Sequence, residues 1–190
     1  MPAVERNINE GIASVKEGAG MRKRVFLLGT LLVGVLLYSG ALRADAQTED
    51  EKEIRALVQR LVTAAKAKDV SVVMSVYVAD ESLSVFDITP PLQSVGAKAY
   101  TKGWEDFFAA FPGPVEIEIH ELSVTTEGPL GFSHEIDTWR MTDPEGKKVS
   151  FTMRVTYVYR KVNGNWRILH EHGSVPVDVT TGRAELSLKP

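Results

Sequence analysis

The side chains best placed by type and spacing to do chemistry are one carboxylate, Asp87, and a set near the chain's end: His134, Arg154, Thr156, His170, His172 and Ser174. Asp87 stands just before Ile88-Thr89-Pro90-Pro91, where the prolines exclude a helix interior or a central strand. A carboxylate in a partly apolar pocket has its pKa raised toward neutrality and can then move a proton between carbon atoms. Capping the loop ahead of Pro90 would suit the same residue. His170 and His172, two apart on a strand, share a face and could chelate with His134 across the sheet. Arg154 beside them would repel a cation and no acidic ligand accompanies them, so no metal and no cofactor is expected. Histidines hydrogen-bonded within the sheet are the simpler account. A buried Arg154 guanidinium would demand an anionic partner, either Asp87 or Glu171 within the chain or a ligand carboxylate or enolate. Ser133 and Ser174 have no strained-turn context, no Gly-x-Ser-x-Gly occurs, and no phosphate loop is present.

These residues need a scaffold, and the pattern from Thr48 onward supplies one. Thr48 with Glu51 makes a capping box ahead of Ile54, Leu57, Val58, Leu61 and Val62, which predicts a first helix ending near Asp69. A shorter helical pattern covers Val70 to Val78, and Ser82 to Asp87 reads as a strand. Gly96 to Phe111 is predicted as a third helix, its Tyr100, Trp104, Phe107, Phe108 and Phe111 forming an aromatic core stripe in which Trp104 doubles as a pocket wall. Four strands follow: Val115 to Thr125, Leu130 to Met141, Lys148 to Lys161 and Asn165 to Val175. In the first, apolar residues change from odd to even positions, which predicts a β-bulge near His120 or Glu121. Glu116 and Glu118 then lie on a solvated face. Helices followed by strands imply an α+β fold, with three N-terminal helices packed on a curved, mostly antiparallel sheet that encloses a pocket.

The N-terminal residues 1–46 stand apart from that domain, which spans 47–190. Met21-Arg-Lys-Arg24, the apolar run Val25 to Tyr38 and Ala44-Asp45-Ala46 read as a secretory signal peptide cleaved after Ala46. Translation would start at Met21, or Met1 to Gly20 would be an extension. The run is shorter than the roughly 20 residues a membrane span needs. Without cysteines there is no disulfide and no acylated lipoprotein anchor, so a periplasmic or secreted product with no membrane attachment after cleavage is expected. At 44% hydrophobic and 25% charged the composition is that of a globular domain, and a net charge of −3 offers no footprint for nucleic acid.

Two hairpin turns decide what the histidines face. A two-residue Asn163-Gly164 turn would put Tyr157 opposite His170 and Val155 opposite His172; a three-residue loop would put Thr156 and Arg154 there instead. Asp143-Pro144-Glu145-Gly146 reads as a type I turn with a glycine bulge, which sets Thr156 opposite His134 and Arg154 opposite Ile136. Treating both hairpins alike gathers His134, Thr152, Arg154, Thr156, His170, His172 and Ser174 on one face, taken as the pocket face. Trp139, Phe151, Met153, Val155, Tyr157, Tyr159 and Leu169 then lie on the other, an apolar convex surface that predicts a homodimer. Under the first turn that apolar face is the core instead and Arg154 points to solvent.

The run Trp166-Arg-Ile-Leu-His170-Glu-His172-Gly-Ser174, with Phe86-Asp87-Ile88, Trp104-Glu-Asp-Phe107-Phe108, Gly113-Pro114-Val115 and Phe132-Ser-His134, resembles the SnoaL-like group of the nuclear transport factor 2-like superfamily. That group stands beside ketosteroid isomerases and the association domain of calcium/calmodulin-dependent protein kinase II. The resemblance covers about residues 50–190 and implies the cone-shaped fold. It places Asp87 where the isomerases carry their general base, with Tyr77-Val-Ala-Asp80 as lead-in. Leu61 stands where their oxyanion tyrosine would be, and Thr152 or Arg154 where their protonated aspartate would be, so that machinery is not reproduced and Arg154 or His172 would have to substitute. The expected activity is binding of a small, anionic or carbonyl-bearing organic molecule. The catalytic candidates are Asp87, His134, Arg154 and His172, and the ligand contacts are Trp104, Thr156, His170 and Ser174. Isomerase or aldol-type chemistry on Asp87, and a dimeric assembly role, are the alternatives. The leader predicts that the exported protein begins at Gln47; N-terminal sequencing that found Met1 or Met21 on the exported product would overturn it.

Overall fold

The computed structural model describes residues 47–190; the leader and cleavage site expected within residues 1–46 lie outside the described residues. Helix α1 (Glu49–Ala67) begins with the anticipated box, in which the Thr48 hydroxyl accepts the Glu51 N–H at 3.2 Å and the Glu51 carboxylate accepts the Thr48 N–H at 3.2 Å. Glu49, Asp50 and Glu51 place negative charge on the positive end of the helix dipole. Helix α2 (Val70–Met74) is shorter than its helical pattern, because Val76 and Val78 leave it to exchange backbone hydrogen bonds with Ile168. Strand β1 (Ser84–Phe86) pairs with a two-residue β2 (Ser94–Val95), which the proline loop had concealed, and α3 (Ala97–Ala110) follows.

Strands β3 (Glu116–Glu127), β4 (Leu130–Thr142), β5 (Lys148–Val162) and β6 (Asn165–Ser174) complete a six-stranded sheet in the order β2-β1-β6-β5-β4-β3. All pairings are antiparallel except β1 with β6. The expected bulge in β3 lies between His120 and Ser123, with Glu121 at φ 55°. Beyond the sheet, β7 (Val177–Asp178) and β8 (Arg183–Ala184) form a small ribbon. The Leu186 carbonyl of the tail then accepts the Thr152 N–H at 2.8 Å, which extends the edge of β5 past the end of β6.

The α1 face bearing Ile54, Val58 and Leu61 and the α3 face bearing Tyr100, Trp104 and Phe108 share one core with Trp139, Met141, Met153, Val155, Tyr157 and Tyr159. The helices therefore cover the odd-numbered face of β4 and β5. This reverses the assignment of the pocket to the histidine face. The reason is area: the large aromatic and aliphatic side chains are on odd positions, and burying apolar surface is worth about 25 cal/mol per Å². The apolar set invoked for a subunit interface is the interior itself.

The register explains how the grouping of residues could hold while the pairing changed. The Asp143–Gly146 turn sets Thr156 opposite His134 and Arg154 opposite Ile136, as read. Asn163 (φ 51°) and Gly164 (φ 78°) form a two-residue turn with Val162 opposite Asn165. A bulge then intervenes: Tyr159 pairs with Ile168, but Val158 pairs with His170. Thr156 consequently faces His172 and Arg154 faces Ser174, so neither anticipated hairpin register holds along its whole length.

Gly131 marks where α1 rests on the sheet. A Cβ there would stand 3.0 Å from Ile54 Cδ1 and 3.1 Å from the Thr125 carbonyl oxygen. Gly131→Val is expected to lower unfolding stability by about 1–3 kcal/mol through overpacking. Gly103→Ala, on exposed α3 surface with nothing within 4 Å, should raise it by about 0.5–1 kcal/mol. Urea denaturation of both variants checks this, and equal effects would refute the close approach of α1.

Candidate functional site

The bulge in β6 determines the polar content of the interior. Trp166 and Ile168 point inward; after the extra residue, Glu171 and Gly173 do, while His170 and His172 turn to the open face. β4 contributes Ser133, Glu135 and Asp137 from successive inward positions, and β1 delivers Asp87 two residues beyond buried Val85. Because β1 runs parallel to β6 with Val85 beside Glu171, Asp87 is a diagonal neighbour of Glu171 on the same side of the sheet.

Glu171 is the most fully supported member. Its Oε2 accepts the Tyr77 hydroxyl at 2.6 Å and the Tyr100 hydroxyl at 2.9 Å, and the two rings meet edge to face at 5.2 Å. Burial raises the carboxyl to about 7, the two phenols pull it down, and the charges of Asp87 and Asp137 add to the rise. Desolvation likewise holds both tyrosines well above the usual phenol range, so they stay donors. Glu135 and Asp137 are only 3% and 2% exposed. Both carboxyls are raised, first by desolvation, and Glu135 rises further because Asp137 and Glu171 lie close. Asp87 sits at the rim: the residue is exposed, yet desolvation by the surrounding protein raises its carboxyl, offset by the N–H groups of Ile88 and Thr89.

Four buried polar atoms here have no hydrogen-bond partner: Glu135 Oε2, Asp137 Oδ1, Trp104 Nε1 and Trp139 Nε1. The Trp139 indole leans toward Asp137 and lowers its carboxyl somewhat, without forming a bond of good geometry. Around them runs an aromatic wall in which Trp104 and Trp139 are 6.3 Å apart, Phe107 is 5.8 Å from Trp139, and Phe151 stacks on Trp139 at 6.2 Å. Unpaired buried polar atoms cost about 1–3 kcal/mol each, a penalty that a bound polar molecule would remove. The arrangement offers carboxyl groups that change protonation near neutrality, phenol and indole donors, and aromatic walls.

Of the residues expected to form a pocket, Asp87 and Trp104 reach this interior. His134, Arg154, Thr156, His170, His172 and Ser174 all lie on the open face, because even positions of β4 and β5 pair with even positions of β6 after the bulge. There Arg154 is exposed to water and needs no buried anion. His170 donates from Nδ1 to the Ser84 carbonyl at 2.9 Å, and Phe86 meets His170 and His172 edge to face at 5.0 and 5.6 Å. Among the described residues no group of three or more His, Asp or Glu side chains is arranged to hold a metal ion. The interior polar residues of β4 could have been found from sequence, since Ser133, Glu135 and Asp137 share parity with Trp139 and Met141. Glu171 could not, because its direction depends on the β6 bulge.

The SnoaL-like domain model matches residues 54–178. A nuclear transport factor 2-like protein of unknown function from Pseudomonas putida KT2440 is 33% identical over 76% of this chain and 99% of its own, with a TM-score of 0.67. A putative calcium/calmodulin-dependent protein kinase II association domain from Xanthomonas campestris is 22% identical over 73% of this chain and 94% of its own, with a TM-score of 0.60. A ketosteroid isomerase-like protein from Erwinia carotovora atroseptica is 20% identical over 67% and 97%, with a TM-score of 0.59. The last two share the fold alone. Among curated proteins none matches this chain.

The raised carboxyls have a consequence for stability. Glu171, ordinarily at 4.5, titrates in the folded state at about 7, and Glu135 and Asp137 shift the same way. Across that window the native state binds more protons than the unfolded chain, so the contribution is full below the ordinary values of 4.5 for the glutamates and 3.8 for Asp137 and is lost as pH rises through the folded ones. The melting temperature should therefore fall from pH 5 to pH 9, and the slope should shrink in Glu135→Gln. A melting temperature that rose over this range would contradict the buried carboxyls.

Proposed function

The chain belongs to the SnoaL-like domain family, and from that premise we propose that it binds a small organic molecule between the helices and the sheet, among Asp87, Glu135, Asp137, Glu171, Trp104 and Trp139. The observation that carries this reading is the set of four unpartnered buried polar atoms within an aromatic wall. A domain that needed only a core would gain by filling those positions with apolar side chains, since unpaired buried polar groups are costly. Gly173 lies inward beside the Asp87 segment, where a Cβ would stand 3.5 Å from Ile88 Cγ2, and buried Val155 separates it from Glu135.

A second reading, proton transfer at carbon, is favoured by Asp87. A rim carboxylate with a raised pKa can take a proton from a carbon next to a carbonyl group. The interior phenols and protonated carboxyls would then donate to the enolate oxygen, the role that Leu61 and Arg154 leave unfilled at the positions the family resemblance indicated. Export by the N-terminal leader belongs to the same proposal. So does self-association through the open sheet face, which is supported by exposed Phe86, Leu130, Phe132 and Val162 in place of the apolar set now in the core.

Indole N–H signals test the main reading directly. Trp104 and Trp139 carry free indoles in the interior, while Trp166 donates to Asp50 at 3.2 Å at the foot of α1. Titration with small aromatic and carbonyl compounds is expected to move the first two signals and leave the third. Shifts confined to other surfaces would sink the interior site. For the second reading, Asp87→Asn should slow deuterium exchange at the α-carbon of a bound ketone by about 10²–10⁴-fold; unchanged exchange would remove Asp87 as base.

A further inference from the structure

The interior site is built for one sign of charge. The buried polar and charged residues are Ser133, Glu135, Asp137, Thr138 and Glu171; among the described residues this set contains no lysine, arginine or histidine. The nearest interior-facing cation in the sheet, Lys161, is engaged at the far end of β5 with Asp50 and Glu53 and lies over the Trp166 ring. Arg55 of α1 gives its Nη1 to the Leu122 carbonyl at 3.0 Å and leaves its Nε buried without a partner, yet it contributes nothing to the shifts of Glu135 or Asp137. A carboxylate cluster on β4 and β6 is thus left without a counter-charge. Glu135 Oε2 and Asp137 Oδ1, each in a residue more than nine-tenths buried, accept no protein hydrogen bond of good geometry, the Trp139 indole only leaning toward Asp137.

Resting on the interior-site reading above, we propose that the ligand is an organic ammonium compound with an aromatic or compact apolar body, its N–H groups donating to Glu135 and Asp137 and its body lying against Trp104 and Trp139. Three features converge on this class. An ammonium group presents only donors, which matches unpaired acceptors on adjacent inward positions of one strand. A cation within about 6 Å of a tryptophan face gains cation–π attraction, and Trp139 follows Asp137 at the next inward position of β4. An anionic ligand would meet Asp87, Asp137 and Glu171 with no base to offset them.

Protons report on this directly. In the free protein the cluster relieves its own repulsion by retaining protons on carboxyls raised by desolvation. An entering cation favours the ionised forms, so binding must release protons and strengthen as pH rises, about tenfold per pH unit for each proton released. The titratable groups facing the site are Glu135 and Asp137 from β4, Tyr157 and Tyr159 from β5, Glu171 from β6, Tyr77 after α2, Tyr100 from α3 and Asp87 at the end of β1. The tyrosines are all held above their ordinary range, so the carboxyls supply the protons.

The test uses benzylamine, benzyl alcohol and benzoate, which share a ring and differ in charge, in calorimetric titrations of the protein in two buffers of unlike ionisation heat between pH 6 and 8. Benzylamine should bind at least about tenfold more tightly than either comparator, release protons, tighten with pH and shift the Trp104 and Trp139 indole signals. Glu135→Gln with Asp137→Asn should abolish the proton release, with circular dichroism checking the fold; the three-probe series on the unaltered protein stands whether or not that variant folds. Preference for benzyl alcohol or benzoate, with the same two indoles shifting, would overturn the cationic ligand and leave the interior site standing. No indole shift with any of the three probes would overturn both.

Discussion

One extra residue in β6 sets what the interior of this domain contains. Up to Ile168 the strand follows the register of a two-residue Asn163-Gly164 turn, and continuing it would have aimed His170 and His172 at the helices. The bulge opposite Val158 and Tyr159 shifts the parity, so a glutamate and a glycine enter and both imidazoles leave. Because side chains alternate with a period of two, the slip changes the chemistry of the whole downstream half of the strand. The parallel pairing of β1 to that half then carries the consequence to Asp87, whose position beside the site follows from Val85 standing next to Glu171.

Glu171 is tolerable in the interior because Tyr77 and Tyr100 meet it from elements distant in sequence. Each phenol–carboxylate hydrogen bond is worth about 1.5–3 kcal/mol, comparable to the penalty of leaving the group unpaired. The same bonds tie the segment after α2 and helix α3 to the sheet, so the polar cluster is also a structural joint. Glu135 and Asp137 have no such support, and desolvation raises both carboxyls, which relieves the strain by protonation.

The scaffold leaves room for this specialisation. Domains of this family share the arrangement of helices over a bent sheet, and the fold by itself does not fix the function. Here the open face carries the histidines, Arg154 and a Phe86 ring wedged against both imidazoles, while the tail adds a backbone bond to the edge of β5. The two faces of one sheet thus separate a water-facing basic set from an enclosed acidic one, a division made by alternation along β4 and β5.

Local chemistry alone determined much of the fold. The capping box at Thr48, the aromatic stripe of α3, the β3 bulge and the turn at Gly146 were all legible, because each depends on residues within a few positions of one another. Alternation also sorted the sheet residues correctly into two sets, and the likeness of short motifs indicated the family. What could not be read was which set faces the helices, whether β6 carries an extra residue, and which tyrosines reach Glu171. Those are decided by total buried apolar area, by pairing between β5 and β6 beyond the turn, and by contacts spanning 94 and 71 residues. Such interactions have no local signature, because their energy exists only when distant segments are packed together.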